Sequence, residues 1–117
     1  MPLKQYQIDF IELLIDNEAI RPENRPLSCG RMSSYYVYLD RLYKGENLQK
    51  LGELFLKALN DRLADQKNPV SDNFNPNVLF GVSYKGIPIA TSMAIASASS
   101  NSNKEFSVMF NRKVTET

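Results

Sequence analysis

The chain has no histidine and a single cysteine among its 117 residues. Without an imidazole it has no Ser-His-Asp or Cys-His mechanism of its own and no histidine metal ligand. The lone Cys29 excludes an internal disulfide framework and fits a reducing compartment. An excess of either charge is also lacking. Fourteen Lys and Arg face thirteen Asp and Glu, a formal net charge of +1. Composition therefore gives no case for nucleic-acid binding, and any anion site has to be local. No apolar run reaches the roughly 18 residues of a membrane span, so no membrane partner is expected. The first residues, Met1 to Gln5, carry neither a signal-peptide core nor a lipidation signal, and the expected location is cytoplasmic. What is present is ordinary globular composition, 43% hydrophobic and 23% charged, at a length suited to one domain.

Periodicity places the elements. From Gln5 to Asn17, Ile8, Ile11, Leu14 and Ile15 recur at helical spacing and predict an amphipathic helix. Arg21 to Pro26 is polar with two prolines and reads as a loop. Tyr35 to Leu39 is aromatic and branched and predicts a strand, with Leu27 upstream as the start of a partner and Cys29 to Arg31 at the bend. From Glu46 to Ala64 a second stripe of Leu48, Leu51, Phe55, Ala58, Leu59 and Leu63 predicts another helix. Gln66 to Asn77, with Asn-Pro at 68–69 and 75–76, reads as a surface loop. Val78 to Phe80 predicts a short buried strand, and Gly86 to Ala98 a helix of small residues pressed on a sheet. Ser97 to Asn103 reads as a turn, and Phe106 to Phe110 as a second core strand. Strand, helix, strand in that order implies a parallel βαβ unit. Only two strands of parallel type are legible, whereas such sheets normally have more, with cover on both faces.

Two stretches carry the chemistry. Val78 to Ala90 reads as a strand, a glycine-flanked turn bearing Lys85, and a helix. That order brings a cation and backbone N–H groups to a helix N-terminus, where an anion is favoured. The second, Phe110-Asn111-Arg112-Lys113, puts two cations past a strand end, where ligands of open α/β sheets collect. Taken alone, Lys85 is better explained by a solvated loop lysine, and Arg112 and Lys113 can be read as a solubilising edge pair. Gly81, Gly86 and the helix that follows favour a phosphate site.

These residues resemble a family. Phe80-Gly81-x-x-Tyr84-Lys85-Gly86-Ile87-Pro88 followed by Phe110-Asn111-Arg112-Lys113 is similar to orotate phosphoribosyltransferase. Tyr6-Gln7-x-x-Phe10-Ile11-Glu12-Leu13, Ser28 to Tyr36 and Leu51-Gly52-Glu53-Leu54 agree in the same order. The resemblance spans nearly the whole chain but about the first half of the family's pattern. It implies an α/β fold, a parallel-sheet phosphoribosyltransferase-like core that is incomplete, with an N-terminal helix and a β-hairpin hood. It implies that residues 1–117 form a single domain stopping before the catalytic loop and the ribose-binding acidic motif.

The resemblance also implies roles. Tyr84, Lys85 and Gly86 fall where the family binds phosphoribosyl pyrophosphate, and Arg112 and Lys113 where it holds the pyrophosphate, with some contacts crossing a homodimer interface. Tyr36 and Val37 fall where two family phenylalanines line the orotate pocket. Ser28 stands in place of a family lysine that touches the substrates, and it supplies no charge. Arg31 matches a family arginine and is not expected to substitute for that lysine. Glu116 stands where the family has a loop lysine. The loop lysine and histidine and the paired aspartates have no counterpart, since Asp61, Asp65 and Asp72 fall on a helix or a polar loop. The expected partners are orotate and phosphoribosyl pyrophosphate, with Mg2+ bound through pyrophosphate oxygens. Two explanations fit the departures: an N-terminal portion of a complete enzyme, which is favoured, or a degenerate, non-catalytic anion-binding or assembly module. Either way, the chain alone is not expected to turn over.

Overall fold

The computed structural model describes residues 2–69, 74–100 and 104–114. In chain order these form helix α1 (Gln5–Asp16), strands β1 (Ile20–Pro26) and β2 (Met32–Val37) and a 3-10 turn (Leu39–Leu42). Helix α2 (Gly45–Leu63), strand β3 (Val78–Gly81), helix α3 (Gly86–Ser99) and strand β4 (Ser107–Phe110) follow. The expectations for Asp72 and Glu116, and for the middle of the 66–77 loop, lie outside the described residues.

Helix α1 begins where the Gln7 carboxamide accepts the Lys4 N–H at 2.8 Å, satisfying an orphan donor. It ends at Asn17, whose Nδ2 donates to the Leu13 carbonyl, and at Glu18, whose φ of 53° turns the chain out of the helix. The expected stripe on this helix needs correction. Leu13 and Leu14 are buried, and Tyr6 and Phe10 pack beside them, while Ile11 and Ile15 are exposed. Apolar residues occupy both sides of α1, so spacing alone does not choose the inner face. The edge-on contact of Phe10 with Phe55, at 5.8 Å between ring centres, marks the side that meets α2.

The segment expected to be a loop is a strand. β1 pairs antiparallel with β2, Ile20 opposite Val37 and Pro26 opposite Met32. Its prolines are tolerated because β1 is an edge strand whose register shifts between Pro22 and Arg25. Leu27 is therefore not the start of the partner strand. It opens the turn, accepting from the Gly30 N–H and donating to the Arg31 carbonyl, both at 2.8 Å, with Gly30 at φ 91°.

The main core joins Leu13, Leu14 and Ala19 to Leu39, Leu42, Leu51 and Leu54, with Ile20, Val37, Leu48 and Phe55 packed around them. Helices α2 and α3 meet with almost no space between backbones. A Cβ added to Gly52 would lie 2.3 Å from the Ser92 carbonyl oxygen. The helix expected to press on a sheet does pack on β3, but it packs on α2 as well, burying Ala90, Ser92, Met93, Ala96 and Ser97. Ser97 to Ser99, read from sequence as part of a turn, belong to α3. Ser97 Oγ donates to the Lys104 carbonyl at 2.9 Å, tying the helix end to the approach of β4.

β3 and β4 are parallel, as the strand-helix-strand order implies, with Val78 opposite Ser107 and Phe80 opposite Met109. They are not the buried strands expected from their composition. Phe80 and Met109 are each 56% exposed, and Val78 and Phe110 are exposed too. Helix α3 covers the side of Leu79 and Gly81, and alternation along the strand turns Val78 and Phe80 to the uncovered side.

Candidate functional site

The end of β3 and the start of α3 touch. A Cβ on Gly81 would sit 2.7 Å from the Gly86 carbonyl oxygen and 2.9 Å from Ile87 Cα, so only glycine allows this approach. Between them runs Val82 to Lys85, with a cis peptide between Ser83 and Tyr84. The Gly86 N–H donates to the Val82 carbonyl at 2.9 Å, and the Ile87 N–H to the Tyr84 carbonyl at 3.2 Å. Two of the amides expected at this helix start are therefore already engaged by backbone carbonyls.

The turn is fastened to the end of β4. Asn111 Oδ1 accepts the Ser83 N–H at 2.8 Å and lies at the same distance from Ser83 Oγ, which also donates to the Asn111 carbonyl. One asparagine thus fixes the phosphate-turn candidate beside the Arg112–Lys113 pair. Asn111→Ala removes the acceptor and is expected to lower stability by about 1 kcal/mol, as read by urea denaturation. An unchanged midpoint would show that the turn does not depend on this link.

Lys85 leaves the turn and reaches the hairpin. Its Nζ donates to Tyr36 Oη at 3.1 Å and lies 5.2 Å from that ring's centre. Arg25 stacks on the same ring, its Cζ 4.3 Å from the centre. Arg25 Nη1 also donates to Tyr38 Oη at 2.8 Å, and Tyr38 in turn donates to Glu23. The Lys85 ammonium holds the Tyr36 phenol below its usual ionisation range, first through the hydrogen bond and then through its charge. Tyr38 is shifted the other way, raised chiefly by its hydrogen bond to Glu23.

The remaining expected residues are placed as follows. Lys113 Nζ lies 5.5 Å from the centre of the Tyr84 ring, and Arg112 is exposed beside it. Gly86 opens α3. Val37 follows Tyr36 but turns inward, its side chain packed on the main core. Ser28 sits in the turn at the hairpin tip, on the order of 13 Å along β2 from Tyr36 by strand rise. The structure therefore brings Tyr36 to Lys85 and Tyr84 to Lys113, and leaves Ser28 apart. Asp61 and Asp65 have local roles: Asp61 pairs with Lys4 at 2.5 Å, and Asp65 accepts the Lys67 N–H at 2.9 Å.

Sequence reasoning did not single out Arg25 or Tyr38. The signal was there in Arg21, Glu23 and Arg25 alternating as a strand does, although in the fold Arg21 lies opposite Tyr36 and Arg25 opposite Ser33. Two prolines masked it. Among the described residues no group of three or more His, Cys, Asp or Glu side chains comes together to hold a metal ion. The chain's own described side chains make no such site, and no helix among them is long and apolar enough to cross a membrane.

No family model matches the chain. It is 37% identical over 115 residues to orotate phosphoribosyltransferase of Alteromonas mediterranea, covering 98% of this chain and 49% of that protein. It is 36% identical over 111 residues to orotate phosphoribosyltransferase of Pseudoalteromonas translucida, covering 95% of this chain and 47% of that protein. The chain thus spans about half the length of the curated relatives it matches. Its fold superposes on a crystal structure of orotate phosphoribosyltransferase from Francisella tularensis with a TM-score of 0.64 at 24% identity, covering 90% of this chain and 46% of that one. UMP synthase of Leishmania donovani gives a TM-score of 0.65 at 19% identity, over 93% of this chain and 20% of that one. In sequence and in fold, the chain is similar to the N-terminal half of orotate phosphoribosyltransferase.

Proposed function

We propose that the protein containing this chain transfers the phosphoribosyl group of phosphoribosyl pyrophosphate to orotate, giving orotidine 5′-monophosphate and pyrophosphate. A ring nitrogen of orotate gives up its proton and bonds to the anomeric carbon as that carbon's bond to the pyrophosphate oxygen breaks. Positive charge grows on the sugar and negative charge on the leaving group. Lys85, Arg112 and Lys113 would stabilise the pyrophosphate electrostatically, with no covalent intermediate required. Tyr36 would offer an aromatic face to the base and Tyr84 would flank the phosphates. Magnesium belongs to this reading only as a partner of the pyrophosphate oxygens, and a homodimer is the assembly it implies. The single domain would supply the phosphate and base contacts, with the ribose-binding carboxylates coming from outside the 117 residues.

The observation that supports this reading most is the meeting of Lys85, on the β3–α3 turn, with Tyr36 on the hairpin. A cation for phosphate and a flat ring for a base lie side by side, in a chain homologous to one enzyme family over nearly its full length. The absence of charge at Ser28 favours the second reading, a non-catalytic anion-binding module. Orotate consumption decides between them. Protein purified from its native source, given magnesium and phosphoribosyl pyrophosphate, is expected to deplete orotate absorbance. No depletion, with a control enzyme active, would favour the module.

A further inference from the structure

We propose that Tyr36 is a positioning residue for the phosphate site, its hydroxyl holding the Lys85 ammonium at the mouth of the β3–α3 turn while Arg25 holds its ring. The inference rests on the phosphate-binding reading of that turn and adds a link between it and the hairpin. A lysine side chain in solvent samples many rotamers, and fixing it on an anion costs that freedom. Here part of the restriction is already in place. Lys85 Nζ donates to Tyr36 Oη at 3.1 Å, and an ammonium has two further donors to offer a phosphate. The phenol is held in its turn. Arg25 lies 4.3 Å from its ring centre, and the Tyr38 ring packs against it at 4.9 Å and 65°.

Arg25 is itself anchored by the Tyr38 hydroxyl and by Glu23, at 2.8 Å and 3.6 Å. The chain of contacts therefore runs from β1, through Arg25 and Tyr36, to Lys85. The hydroxyl is the essential atom, because phenylalanine would keep the ring and release the lysine.

The charged groups facing Tyr36 are Lys85 from the turn and Arg25 from β1, which favour the phenolate, and Asp40 from the 3-10 turn, which opposes it. If the hydroxyl positions Lys85, ionising it draws the ammonium into a pair and weakens its hold on phosphate. The affinity for inorganic pyrophosphate should then fall as pH rises through the Tyr36 ionisation, and that step should vanish in Tyr36→Phe.

The test is calorimetric titration of inorganic pyrophosphate into the 117-residue chain and its Tyr36→Phe and Lys85→Ala variants across alkaline pH. Carbon-13 tyrosine NMR on the same proteins follows each phenol separately and checks that each variant is folded. Tyr36→Phe is expected to bind about threefold to tenfold more weakly at neutral pH, the scale of restoring one side chain's freedom. The Tyr36 phenol is expected to ionise at higher pH in Lys85→Ala, and again when pyrophosphate is bound. A folded Tyr36→Phe that binds as the parent does, with the same pH profile, would overturn the positioning role while leaving the phosphate site standing. A parent chain that binds no pyrophosphate would overturn the site and the positioning role together.

Discussion

Gly52→Ala is expected to lower the unfolding free energy by about 2 kcal/mol, although the same change on a free helix surface would raise it. Alanine is favoured over glycine in a helix interior by about 1 kcal/mol. At Gly52 that gain is opposed by a clash that no side chain can relieve. The new methyl would lie 2.3 Å from the Ser92 carbonyl oxygen and 2.5 Å from its carbon, both backbone atoms of α3. Overpacking of a tight contact costs about 1–3 kcal/mol, and here the backbone must yield, so the upper end applies. Gly45→Ala is the control. Nothing lies within 4 Å of its added carbon, and stability should change by no more than about 0.5 kcal/mol. Urea denaturation reads both. A stabilised Gly52→Ala would mean that α2 and α3 do not meet as described, and the placement of the β3–α3 turn would fall with it.

Lys85→Ala is expected to weaken inorganic pyrophosphate binding by about tenfold to a hundredfold, the loss of one charge-assisted hydrogen bond of roughly 1.5–3 kcal/mol. The effect should be large because the Gly86 and Ile87 amides are spoken for by the Val82 and Tyr84 carbonyls and do little to replace it. Lys67→Ala, in the exposed segment after α2, should leave the affinity unchanged. Equal losses from the two substitutions would point to diffuse attraction rather than a site. A fall in apparent affinity with added salt is expected for all forms and decides nothing by itself.

Much of this architecture is legible in the residues, and the misreadings have definite causes. The three helices follow from stripes and small-residue runs, and the parallel pairing of β3 and β4 follows from the helix between them. β1 reads as a loop in sequence because Pro22 and Pro26 are strong breakers locally. Pairing with β2 and a register shift accommodate them, and no local pattern announces that. The inner face of α1 is not legible in sequence because isoleucines and leucines flank it on both sides. Only contact with Phe55 and Leu54 of α2 selects the Leu13–Leu14 side.

The exposure of Phe80 and Met109 was unreadable for a different reason. Their composition is that of a strand covered on both sides, and the described residues cover one. At the candidate site, motif spacing points to Lys85, Arg112 and Lys113, but the partner of Lys85 is a tertiary fact. Tyr36 lies far from it in sequence and reaches it only because the hairpin folds back over the β3–α3 turn.

The central claim is that the β3–α3 turn and the end of β4 form one phosphate site facing the hairpin. Its most direct test is an amide NMR titration of the 117-residue chain with inorganic pyrophosphate. Saturable shifts clustered at Ser83 to Ile87 and at Arg112 and Lys113, with a smaller response at Tyr36, are the predicted result. Shifts that do not saturate, or that fall instead on the exposed lysines of α2 such as Lys50 and Lys57, would contradict it.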